Sequence, residues 1–162
     1  MNNSEERTIN LNRIINASQI DLFQAWTTKA GLESFLAPVC EIDLIPNGKF
    51  EIFFDPNGKE GEKGSEDCLV MAYQKHNFFS FTWNSPPSIP NIREQKTCVV
   101  VRFISLGNQN TKVILVQSGW GEGEDWDKSY NYFTSAWGKI VLPRLEYRFK
   151  NGPLDWNNLP NI

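Results

Sequence analysis

The feature that most constrains this chain lies in its last third. After Gly119-Trp120-Gly121-Glu122-Gly123-Glu124-Asp125, the residues Trp126, Tyr130, Phe133, Trp137, Val141 and Leu145 follow at steps of four, three, four, four and four. That spacing puts all six side chains on one face of a helix. Asp127, Lys128, Asn131, Ser135, Lys139, Glu146 and Lys150 fall on the opposite side, which suits water. A long helix with an aromatic face must lay that face on something. Pro143 falls inside the segment. Proline lacks a backbone N–H and crowds the carbonyl one turn back, so a kink or break is expected near Lys139 to Pro143.

The preceding residues read as the surface that the helix covers. Arg7 to Ile15 looks like a strand, with Ile9, Leu11 and Arg13 on one face. Ser18 is a plausible N-cap for a short helix through Thr27, and Thr28 for a second, Lys29 to Leu36, ended by Pro38. Strands then follow in succession. Val39 to Leu44 and Lys49 to Phe54 are joined by the tight turn Pro46-Asn47-Gly48. Cys68 to Gln74 and Phe78 to Trp83 turn near His76, and Thr97 to Ile104 and Thr111 to Gln117 turn near Gly107. Alternation places Phe79, Phe81 and Trp83 on one row, Val99, Val101 and Phe103 on another, and Val113, Leu115 and Gln117 on a third. Phe50, Ile52 and Phe54 complete the set. Asp55 to Asp67, rich in glycine and charge, reads as a mobile loop. Ser85 to Gln95 holds three prolines and is unfit for a central strand. Strand, two short helices, about six meandering strands and one long helix describe an α+β domain with a single covered sheet face.

The 162 residues suit one domain, read here as 7–150 between a disordered tail, 1–6, and a C-terminal tail, 151–162. A net charge of -3 points to no nucleic-acid partner. No apolar run reaches the length of a membrane span, and the polar N-terminus is no secretory signal, so the chain reads as cytoplasmic. Cys40, Cys68 and Cys98 are odd in number and sit in strand-like stretches, as buried reduced thiols do. With His76 the single histidine, in a turn, no metal-ligand spacing exists and no cofactor is expected. The Gly119-x-Gly121-x-Gly123 run lacks the lysine of a phosphate loop, and Glu122, Glu124 and Asp125 would repel phosphate. It reads as a strand-to-helix turn.

Four motifs in order resemble the START-like superfamily called SRPBCC. Asn16 to Thr27, ending Ala25-Trp26-Thr27, is similar to its opening strand and helix. Ile45-Pro46-Asn47-Gly48-Lys49-Phe50 resembles its P-G-G-x-F turn, and Phe81-Thr82-Trp83 its F-T-W strand end. Thr111 to Trp120 resembles T-x-V-x-L-x-H-x-G-W, with Gln117 in place of the frequent His. The branch is the one named for the C-terminal domain of the heat-shock protein 90 ATPase activator. The resemblance implies a helix-grip fold: a curved antiparallel sheet wrapped around the C-terminal helix, with an apolar cavity between them.

On that frame the expected function is binding of an apolar or aromatic small molecule between the sheet and the helical stripe. Trp26, Phe35, Phe81, Trp83, Trp120, Trp126, Tyr130, Phe133, Trp137 and Val141 are the candidate lining. Glu41, Gln117, Tyr130 and Arg93 are the candidate polar groups, with the Ser85 to Gln95 loop and the two short helices framing the entrance. Two alternatives stand beside it. One is a protein-interaction module with a chaperone or other protein partner, marked by a contiguous exposed patch. The other is a cyclase- or hydrolase-type enzyme using Glu41 or a tyrosine as acid or base. Sheet-edge strands could also pair into a homodimer.

Overall fold

The computed structural model describes residues 6–162. The expected Met1–Glu6 tail therefore lies, apart from Glu6, outside the described residues. Among the described residues, seven strands and four α-helices follow one another as β1 (Ile9–Ile15), α1 (Gln19–Thr27), α2 (Lys29–Glu33), β2 (Val39–Ile42), β3 (Phe50–Phe53), β4 (Val70–Gln74), β5 (Phe78–Trp83), β6 (Thr97–Gly107), β7 (Asn110–Ser118), α3 (Glu124–Ser135) and α4 (Leu142–Asn151). β1, β7, β6, β5 and β4 form one antiparallel sheet in that order, while β2 and β3 form a separate hairpin. The single meander read from the sequence is thus split. The hairpin joins the sheet through the bridge between Lys49 and Leu69.

Local chemistry explains the elements. Ser18 Oγ accepts the Asp21 N–H at 3.0 Å and caps α1, and Thr28 Oγ1 does the same for the Gly31 N–H of α2. Asn47 occupies the left-handed region (φ 63°) in the turn before β3, a conformation that asparagine tolerates. α3 starts after Gly123 with Glu124, Asp125 and Asp127 in its first turn, where the helix dipole favours acids.

The expected inward rows are buried except at Phe54, which lies past the end of β3 and is exposed. Phe79, Phe81, Val99, Val101, Val113, Leu115 and Gln117 lie under the helix, and Phe133, Trp137, Val141 and Leu145 come down onto them. Arg13 to Glu146 (2.8 Å) and Arg7 to Asp127 (2.6 Å) fasten the helix to β1 and to the residues before it. The C-terminal helix is continuous yet irregular. Ala136–Val141 is π-helical, with the Leu142 N–H donating to Trp137 O five residues back. The irregularity therefore begins ahead of the stretch expected from Pro143, which itself sits in the first turn of α4, directly after the π turn. Beyond α4 the chain docks: Leu154 is buried, its N–H donates to Ser34 O, and Trp156 Nε1 donates to Glu33 O at 2.7 Å.

Candidate functional site: an apolar cleft beside the π-helical turn

The space between sheet and helix is largely filled. Trp26, Phe35, Phe50, Phe79 and Phe81 are fully buried. They interlock: Trp26 to Phe35 at 5.0 Å, Trp26 to Phe81 at 6.4 Å, Phe50 to Phe81 at 4.4 Å between ring centres. Close-packed rings of this kind are core. Open space remains at one edge, where the ends of β3 and β5 meet the helix. There a cleft of about 200 Å³ is lined by Phe54, Trp83, Tyr132, Phe133, Ala136, Trp137, Ile140, Val141 and Arg144. A neighbouring depression of about 210 Å³ shares Phe54, Trp83, Tyr132 and Phe133 with it and extends along Asp55, Glu62, Lys63, Pro86 and Pro87. A larger depression between α1, α2 and α4 is lined by Asp21, Gln24, Thr28, Ser34, Arg148 and Phe149, a more polar surface.

Two rows of helix residues build the floor. The stripe contributes Phe133, Trp137 and Val141; beside it runs Tyr132, Ala136, Ile140 and Arg144, also at four-residue steps. On a regular α-helix a four-residue step leads the 3.6-residue turn, so such a row drifts around the axis. The π turn has more residues per turn, which offsets the drift and keeps both rows open to the cleft. Phe54, Tyr132 and Ile140 are 46%, 49% and 45% exposed, so the rim itself is apolar.

The wall is positioned by Gln117, which is wholly buried. Its Nε2 donates to Thr97 Oγ1 at 2.9 Å, and Thr97 Oγ1 donates to the Trp83 carbonyl at 3.0 Å. Trp137 Nε1 donates to Gln117 Oε1 at 2.8 Å. The amide thus ties together the two tryptophans of the cleft, which pack at 5.5 Å. A Gln does this because it offers a donor and an acceptor at one position. Two polar groups in the cleft wall differ from it. Trp83 is 2% exposed, and its buried Nε1 has no hydrogen-bond partner among the described residues. Arg144 packs over the Trp156 ring at 5.4 Å, and burial lowers its pKa from the ordinary guanidinium value.

Of the candidate residues, Trp83, Phe133, Trp137 and Val141 are brought together in the cleft. Trp26, Phe35 and Phe81 sit in the packed interior. Trp120 stands against Tyr130 at 5.2 Å, and the Tyr130 hydroxyl donates to Thr8 O. Trp126 belongs to a separate small cluster with Ile89 and Ile92 of the proline-rich loop. Glu41 is half-exposed on β2, paired with Lys29 at 3.3 Å, remote from the cleft lining. Arg93 works as a clamp: it donates to the carbonyls of Ser85, Gly61 and Gly64 and pairs with Glu66 at 3.1 Å. The glycine-rich segment read as mobile is thereby tied to the proline-rich loop. Of the expected frame, only Pro86 and Pro87 of that loop border the space; the short helices lie elsewhere. Tyr132, Ala136, Ile140 and Arg144 escaped the sequence reading because they lie one position off the dominant stripe. Their own four-residue spacing was the available signal.

The three cysteines carry free thiols. Burial pushes Cys40 up to about 12 and Cys68 up to about 11, so both are inert near neutrality. Among the described residues no group of His, Cys, Asp and Glu could hold a metal ion, and no helix is long and apolar enough to cross a membrane.

A sheet gripping a C-terminal helix, with an apolar cleft at their edge, defines the helix-grip class. The family described as activator of Hsp90 ATPase homolog 1-like protein matches residues 16–149, and the chain belongs to that family. Among solved structures it is similar to a protein of Mesorhizobium loti, with 22% identity, a TM-score of 0.70, and coverage of 91% of this chain and 100% of that one. It is also similar to an HSP90 activator from Plasmodium falciparum (18%, TM-score 0.64, 86% and 93%). A third likeness is to the Aha1 dimer from Colwellia psychrerythraea (19%, TM-score 0.68, 90% and 98%). Identities this low carry the fold alone. No curated protein matches the chain.

Proposed function

We propose that this protein binds an apolar or aromatic small molecule in the cleft between the end of the sheet and the π-helical turn. The observation that carries the reading is the cleft lining: the aromatic rings of Phe54, Trp83, Tyr132, Phe133 and Trp137 with Ile140 and Val141 beside them. Apolar clefts with few polar groups are the usual form of small-molecule sites. Burial of the ligand at about 25 cal/mol per Å² of apolar area is the driving force. Native mass spectrometry of freshly purified protein, compared with its denatured mass, tests this. A reproducible extra mass lost on denaturation supports the reading. A bare mass, together with no binding of added aromatic probes, overturns it.

The exposed rim of Phe54, Tyr132 and Ile140, and the likeness to an HSP90 activator, favour a second reading in which the same edge meets a chaperone. Its test is the ATPase rate of an Hsp90 with and without this protein. Stimulation abolished by Ile140→Glu would favour it over small-molecule binding. The likeness to a dimeric relative makes a homodimer the remaining partner proposal, read by sedimentation over a range of concentrations.

A further inference from the structure

One charged side chain in the cleft lining stands without a protein partner. Arg144 lies at the α4 end. Its guanidinium is partly buried, packs on Trp156, and has no carboxylate or other acceptor among the described residues. The acid two residues along, Glu146, is taken by Arg13. A guanidinium without a carboxylate at the border of an apolar cleft is a fork for a planar anion. The far end of the open space has the opposite character, because Asp55 and Glu62 border it beside Lys63. The charges therefore orient an acidic ligand one way.

Resting on the binding reading above, we infer that the cleft selects an aromatic or apolar acid, its anionic group on Arg144. The apolar body lies along Trp137, Ile140 and Val141. Neutral molecules of the same shape bind more weakly.

The test uses two fluorescent probes of one scaffold: 8-anilino-1-naphthalenesulfonate, an anion, and N-phenyl-1-naphthylamine, its neutral counterpart. The expected result is at least about tenfold tighter binding of the anion by the unmodified protein. Arg144→Gln should weaken the anion about tenfold and leave the neutral probe within about twofold, while Arg144→Lys restores most of the difference. Equal affinity for the two probes, or an Arg144→Gln variant that weakens both alike, overturns the inference and leaves apolar binding intact. Binding of neither probe overturns both. The comparison on unmodified protein decides the charge preference even if a variant misfolds.

Discussion

Gln117 sits where an inward strand row would ordinarily carry an apolar side chain, and its buried amide serves Thr97 and Trp137 at once. Gln117→Met keeps the volume and removes both bonds. Trp137 Nε1 is then buried without an acceptor, and the expected cost is about 2 kcal/mol of stability, read from urea unfolding. Probe binding should weaken with it, since Trp137 forms the cleft floor. The thiols supply a pH dependence at the same scale. In the folded chain Cys40 and Cys68 are held near about 12 and about 11, against 9.0 for an exposed thiol. Below pH 9 both states keep their protons and stability is insensitive to these groups. Above it the unfolded chain releases protons that the folded chain retains, so stability falls as pH rises towards the folded values. The slope is up to about 1.4 kcal/mol per pH unit for each thiol. Urea midpoints near pH 8 and pH 10 should differ, and Cys40→Ala with Cys68→Ala should reduce the difference. No reduction would remove the thiols from the account.

Elements were legible wherever a period ran long enough. The helix stripe, the inward strand rows other than Phe54, and the N-caps Ser18 and Thr28 are found in the structure at the expected residues. The π turn was not legible, because a hydrophobic period of four is shared by an α-helix and a π turn; only the hydrogen-bond offset from Leu142 to Trp137 separates them. Pro143 indicated trouble nearby without its form. The loops show the converse. Asp55 to Asp67 has the composition of a free segment, yet Arg93 reaches it from about thirty residues away in sequence. Removing that side chain should release two loops together. Arg93→Ala is expected to cost about 3 kcal/mol, since Glu66 and three carbonyls lose a largely buried donor. Limited proteolysis should then cut within 55–67 in the variant while sparing the parent chain. Cutting of both at one rate would sink the clamp.

At the scale of the whole molecule, a ligand that binds only the folded chain must stabilise it. At a hundredfold excess over Kd, an aromatic acid should add about 2.7 kcal/mol and raise the unfolding temperature, and its neutral analogue at the same concentration should add less. A thermal scan with each compound checks this, and equal shifts would speak against the charge on Arg144. The sequence by itself determined the α+β order, the face of the helix that turns inward, and the family. These depend on residues a few positions apart, whose periodicity survives without coordinates. Where space was left over depended on the tertiary structure. Trp26, Phe35 and Phe81 are as aromatic as Trp83 and Trp137, and local pattern cannot separate a ring that fills the core from one that borders a cleft. That distinction rests on how the ends of β3 and β5 meet an underwound turn of helix, and on which polar atoms the packing leaves unpaired, quantities set by contacts between residues far apart in the chain.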